Sequence, residues 1–225
     1  MAKNLTPTIL FEDTHLVVLS KPAGLLSQGE HTGDDNLVDW LRGHFGRHYV
    51  GLVHRLDRNT SGLMVVAKRS KSADRLTQSL QKGDLIRRYQ AVVQGRLSLA
   101  SVWEHWLLKN EKTNTMEVVS KNTFGAKLAR LRAEPIRSAQ FRGCEITCVD
   151  FELETGRSHQ IRVQAAAMGH PLIGDPKYGR ELAPPLRAFP RPALHSHFIS
   201  FPHPMSGEIL KFEDRLPEEF AGLFA

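Results

Sequence analysis

The feature that most constrains the fold is a long stretch, Leu85 to Leu153, that reads almost wholly as strand. "RRYQAVVQG", "VWEHWLL", "TMEVV", "AKLARLRAEP" and "CEITCVDFELE" follow one another with no helical pattern between them. The helices stand outside this run. "DDNLVDWLRGHFG" predicts one, with Leu37, Trp40, Leu41 and Phe45 on a single face, a cap at Asp34 or Asp35, and a stop at Gly46. "SKSADRLTQSLQKG" predicts a second, with Ala73, Leu76 and Leu80 inward and Gly83 at its end. "SHQIRVQAAAMG" predicts a third, capped by Ser158, with Ile161, Ala165 and Met168 inward and Gly169 ending it.

Further strands are expected at both ends. "TILFEDTHLVVLSKP" reads as two, joined by a turn at Glu12-Asp13, and two more lie at 50–56 and 62–67 around Asn59-Thr60-Ser61-Gly62. "ALHSHFIS", a hairpin at Met205-Ser206-Gly207 and a short helix in "PEEFAGLF" follow. Strands and helices do not alternate regularly. This disfavours a doubly wound parallel sheet and predicts an α+β fold, a mostly antiparallel mixed sheet flanked by helices and loops. "RELAPPLRAFPRP" (180–192) reads as a surface loop, so residues 1–225 are expected to form a single domain.

Composition narrows the partners. The chain has 225 residues, 41% of them hydrophobic, which is enough for a sizeable core. No apolar run approaches the roughly 20 residues of a membrane helix, and "MAKNLTPTIL" lacks a signal-peptide pattern, so cytoplasm is the expected compartment. The net charge of +6 suggests a polyanionic partner. It is concentrated between 109 and 142, where Lys109, Lys112, Lys121, Lys127, Arg130, Arg132, Arg137 and Arg142 face three glutamates. A solvated surface is the plainer account of any one of them. No heptad pattern argues for association, so a monomer is expected.

Common cofactor and metal patterns are missing: G-x-x-x-x-G-K-[ST], G-x-G-x-x-G and H-E-x-x-H do not occur. Cys144 and Cys148 read as packed strand thiols, and His195 and His197 have no carboxylate or cysteine at ligand spacing. Two segments carry concentrated charge instead. In "VHRLDRNTSGL" (53–63) a strand would put Val53, Arg55 and Asp57 on one side and leave Asp57 at its exit. Asp57 is either a turn residue capping its own backbone or a reactive carboxylate. A nucleophilic carboxylate must stay ionised, which calls for a fixed cation. The residues alone offer Arg55, Arg58, Arg157 and Arg162. In "ETGRSHQIRVQAAAMGHPLIGDPKYG" the third helix begins beside Arg157 and Arg162, a candidate anion-binding end.

These segments, with "KPAG" (21–24), "RRYQAVVQG" and the later "RPALHSHFISFPHP", resemble the RluA-type pseudouridine synthases, in the same order and over about residues 8 to 213. The resemblance implies an isomerase that cleaves the N-glycosidic bond of a uridine in folded rRNA or tRNA, turns the base, and rejoins it through C5. It implies no cofactor and no metal. It makes Asp57 the catalytic aspartate, Tyr89 the active-site tyrosine that stacks on the base, and Arg162 the cation that pairs with Asp57. Leu172 or Ile173 would wall the base, and Arg55 would enter the stem vacated by the flipped nucleotide. Lys21, His54, Arg58 and Arg157 are the remaining expected RNA- or base-binding residues.

Ser158 and Gln164 stand where Thr and His are frequent in the family, and Gln164 is expected to alter a substrate contact. Many relatives carry an N-terminal S4 domain. Here the pattern starts within the first ten residues, so binding is expected to rest on the catalytic domain and the basic 109–142 segment. Two other readings stay open: a non-catalytic RNA-binding protein on the same scaffold, and a hydrolase using Asp57 and Asp175 as paired carboxylates.

Overall fold

The computed structural model describes residues 5–30, 33–46 and 49–224. In chain order its first elements are β1 (Thr8–Glu12), β2 (Leu16–Lys21), α1 (Leu37–Phe45), β3 (Gly51–Leu52), β4 (Ser61–Ala67) and α2 (Ser70–Lys82). The strand-rich stretch follows as β5 (Ile86–Gln94), β6 (Ser101–Asn110), β7 (Thr115–Val119), β8 (Lys127–Phe141) and β9 (Cys144–Leu153). Then come α3 (Gln160–Ala167), α4 (Pro184–Arg187), β10 (Leu194–Pro202), β11 (Ile209–Glu213), α5 (Glu218–Ala221) and a final 3-10 turn, Gly222–Phe224. The class is α+β, as the order of patterns predicts. The backbone divides into two compact units, Met1–Arg87 with Ser196–Arg215, and Arg88–His195 with Leu216–Ala225.

In the first unit, β1, β2 and β4 form an antiparallel ladder, β3 adds to β4, and β11 pairs with β10. Asp13 makes the β1–β2 turn by accepting the N–H groups of His15 and Leu16 at 2.7 and 2.8 Å. The strands β2 and β4 are nearly continuous apolar runs because both faces are covered. Leu16, Val18, Leu63, Val65, Leu76, Leu85, Ile199 and Phe201 pack together as one core. Gly62 sits at φ +110°, and a Cβ there would lie 2.2 Å from the Ser196 carbonyl oxygen, so no other residue fits where β4 meets β10. Helix α2 stops at Gly83 in the left-handed region, as expected.

In the second unit the order is β5-β9-β8-β6-β7, antiparallel throughout. Strand β8 runs through Pro135 to Phe141, longer than its sequence pattern suggests. A register shift between Pro135 and Arg137 absorbs the missing N–H of the proline. A core of Val92, Ile146, Ile173, Leu182, Leu186 and Phe220 lies within this unit. Cys148 is buried and unbonded, and burial pushes its thiol up to about 11, so it packs rather than reacts.

Four expectations are corrected. Helix α1 is capped by Asn36, whose side chain accepts the Asp39 N–H at 3.0 Å, not by Asp34 or Asp35. Helix α3 begins after His159, not at Ser158. His159 takes φ +51°, and the Gln160 side chain does the polar work by accepting the Arg157 N–H and donating to the Arg130 carbonyl. Met168 lies past the end of the helix and is 43% exposed rather than inward. The 180–192 loop contains α4, started by Pro184 and closed around buried Leu186.

Candidate active site

Strand 50–56 shrinks to Gly51–Leu52, and the physical reason is also what shapes the site. Both backbone groups of Leu56 and the carbonyl of Arg58 go to the "KPAGLLS" segment instead of to a strand ladder. The Ser27 hydroxyl donates to the Leu56 carbonyl at 2.6 Å and accepts the Leu56 N–H at 3.1 Å. The Arg58 carbonyl accepts the Gly24 N–H at 2.7 Å and the Lys21 ammonium at 3.2 Å. Lys21 is fully buried, and its Nζ also donates to the Pro22 and Leu25 carbonyls. The Asp57 carbonyl accepts the Thr60 N–H at 3.0 Å and so closes a turn. Asp57 therefore sits between two residues whose backbone is held from both sides. Its alternation with Val53 and Arg55 on one strand face does not exist, because there is no strand.

The neighbours of Asp57 divide by exposure. Arg55 and Arg58 are exposed, and Arg58 is ion-paired with Asp34. His54 is only 7% exposed. Its Nε2 accepts the Val65 N–H at 3.3 Å, and Nδ1 has no partner among the described residues. Burial first, then the nearby Arg87 charge, hold its ring neutral with a pKa of about 3. His54 and Lys21, expected to touch RNA, are thus spent on packing and on shaping the aspartate loop.

The remaining motif residues belong to the second unit. Tyr89 lies on β5 opposite Phe151 and is 4% exposed. Arg162 is buried on α3 and makes a two-pronged pair with Asp175, Nε to Oδ2 at 2.7 Å and the terminal nitrogen to Oδ1 at 2.8 Å. Its guanidinium also lies 5.2 Å from the Tyr178 ring centre. Asp175 further accepts the N–H groups of Lys177 and Tyr178 at 2.9 and 3.1 Å. Burial opposes its charge, but Arg162 and these donors outweigh burial and hold the carboxyl below its ordinary range. Leu172 and Ile173 are fully buried. Leu172 bridges Val93, and the Ile173 N–H reaches the Val92 carbonyl at 3.0 Å. The Arg157 Nε donates to the Leu128 carbonyl at 2.8 Å.

Gln164 is not free to alter a substrate contact. It is fully buried, and its amide donates to the Trp103 and Ala129 carbonyls and meets His105 Nδ1 at 3.0 Å. Sequence reasoning missed Ser27 altogether, and took Gly24 only as part of "KPAG" without a role. A lone serine ending an apolar run, "LLS", was the available signal.

Among the described residues no group of three or more His, Cys, Asp or Glu is placed to hold a metal, and no helix is long and apolar enough to cross a membrane. A cavity of about 510 Å³ in the first unit is lined by His15, Tyr49, Lys68 and the start of α2, and it contains none of the motif residues. The basic segment is partly neutralised. Lys109 pairs with Glu111, Arg130 with Glu154 and Glu104, and Arg132 with Glu134.

A family profile described as RNA pseudouridylate synthase matches residues 15–167. A protein of Nitrosomonas europaea named ribosomal large subunit pseudouridine synthase D is 37% identical over 228 residues, covering 96% of this chain and 63% of the relative. The protein of that name from Pseudomonas aeruginosa is 36% identical, covering all of this chain and 73% of its own. Two solved structures, human RNA pseudouridylate synthase domain containing 1 and 4, superpose with TM-scores of 0.78 and 0.74. They are 22% and 23% identical, with 94% and 95% of this chain covered and 84% and 90% of theirs.

Proposed function

Because this chain belongs to the RNA pseudouridylate synthase family, we propose that it isomerises a uridine of structured RNA to pseudouridine. In this reaction the N1–C1′ bond breaks, a C5–C1′ bond forms, the C5 hydrogen leaves as a proton and N1 gains one. No electron is transferred and no cofactor is needed. Asp57 is the group that reacts at the sugar or base. Tyr89 stacks on the base and helps remove the C5 proton, and Arg162 supplies the positive charge the reaction calls for. Arg55 and Arg58 are the exposed cations beside Asp57 and meet the RNA backbone or the emptied stack. The names of the relatives favour rRNA of the large ribosomal subunit as the substrate. The reading includes a cytoplasmic monomer.

The observation that carries the assignment of Asp57 is its setting. Buried donors and acceptors from residues 21–27 fix the backbone of its two neighbours, while the arginines next to it face outward. A carboxylate that must meet one atom of a large substrate needs such a mount. The hydrolase reading loses support from Asp175. Both of its oxygens are taken, by Arg162 and by two N–H groups, which leaves little basicity for activating water.

The test is release of tritium from rRNA labelled at uridine C5. Wild-type protein should release it and Asp57→Ala should not. Free uracil as product would favour a hydrolase. Absence of release from both rRNA and tRNA would overturn the proposal.

A further inference from the structure

We propose that the segment joining β7 to β8 is an RNA-docking tip, with the Phe124 ring stacking on an unpaired base and Lys121 and Lys127 meeting the flanking phosphates. This rests on the reading that the chain acts on RNA.

The topology makes the segment unusual. Strands β7 and β8 lie on opposite sides of β6, and both run antiparallel to it. Residues 120–126 must therefore cross the outer face of β6. They do so near Trp106, which is opposite Val119 on one side and Leu128 on the other. The crossing is tight. The Thr123 N–H reaches the Ser120 carbonyl at 3.0 Å and the Ala126 N–H reaches the Thr123 carbonyl at 3.1 Å. Gly125 turns at φ +81°, with the Leu108 side chain 3.4 Å from where its Cβ would be. Lys121 lies 5.8 Å over the Trp106 ring.

At the crest of this fixed crossing, Phe124 is 99% exposed. A phenylalanine normally gains stability by burying its ring, and this one buries nothing. Single exposed apolar side chains are common, but this one has a specific charge setting. Lys121 and Lys127 stand three residues to either side, and neither has a carboxylate within salt-bridge distance among the described residues. Glu111, by contrast, is taken by Lys109, and Glu117 accepts from Asn110. An aromatic face between two unneutralised lysines is what a splayed nucleotide offers partners to: a π-face and phosphates on each side. A protein partner would call for a contiguous apolar patch rather than one ring. The tight turns fix the backbone that carries the ring, which limits the ordering cost on binding.

The experiment measures binding of in vitro transcribed large-subunit rRNA by filter retention, with tritium release run in parallel. Phe124→Ala should weaken binding by about 5- to 150-fold, the range expected for one lost base–aromatic stack. The loss should appear in KM rather than kcat. Phe124→Tyr should restore binding and Phe124→Leu should not, because leucine keeps the apolar bulk without the π-face. Lys121→Gln and Lys127→Gln should each lower the salt slope of binding by about one. Wild-type affinity in Phe124→Ala, or equal affinity of the Leu and Tyr variants, would overturn the docking tip while tritium release left the isomerase reading standing. Ring-dependent binding without tritium release would do the reverse. A wild-type protein that binds no rRNA would overturn the docking tip, and the isomerase reading falls with it if tRNA gives no tritium release either.

Discussion

Lowering the pH from 7 to 5 should cost the first unit about 2 kcal/mol through His54 alone. The folded ring has a pKa of about 3 because it is buried beside the Arg87 charge, whereas an unfolded histidine titrates near 6.5. Between these values the unfolded chain takes up a proton that the folded chain refuses. The folded pKa is depressed, so the stability is present above 6.5 and is lost as pH falls toward 3. The slope is about 1.4 kcal/mol per pH unit, and pH 5 lies one and a half units below the unfolded value. For a chain of this length that corresponds to a fall in melting temperature of about 4–8 °C. The control is His54→Gln, which cannot titrate. Its constant cost appears at both pH values and cancels in the difference. The acids with lowered pKa, such as Asp13 and Asp175, act in a lower pH range and are common to both proteins. Thermal melts of both proteins at pH 7 and pH 5 decide the matter. Parallel pH dependence, or an imidazole NMR signal from folded His54 that titrates near 6.5, would refute the reasoning.

Two more predictions concern the fixed charges and the loop mount. Asp175→Asn removes the two-pronged carboxylate partner of the buried Arg162 guanidinium and should cost about 3–5 kcal/mol in denaturant unfolding. Ser27→Ala strips partners from both backbone groups of Leu56. It should cost about 1–3 kcal/mol and slow tritium release by at least as much as it affects binding, as read from kcat against KM in single-turnover assays.

Much of the fold was legible because it rests on local pattern. The lack of alternation between strands and helices gave the α+β class, and the Gly83 stop and the β1–β2 turn followed from residue type. Where the reading failed, partners distant in sequence had intervened. Apolar–polar alternation made 50–56 look like one strand, but the Ser27 hydroxyl took both backbone groups of Leu56 that a ladder would have used. Likewise Ser158 has the right chemistry for a helix cap, yet Gln160 reaches the carbonyl of Arg130 and the amide of Arg157 first. For the candidate site, sequence could name Arg162 but not the two-pronged bond to Asp175 that holds it, because thirteen residues and a helix end separate the two. Nor could it show that His54 and Lys21, charged or polar letters in loaded motifs, lie inside the protein.

The clamp on residues 56–58 also has a consequence in time. A loop that carries a reactive group is usually the part of an enzyme with freedom left to lose when substrate arrives. Here the backbone on either side of Asp57 has already surrendered that freedom to Ser27, Gly24 and Lys21, at the moment of folding. The encounter with RNA then has to order the RNA, which must surrender a stacked base, while the protein brings a carboxylate whose mount is already set.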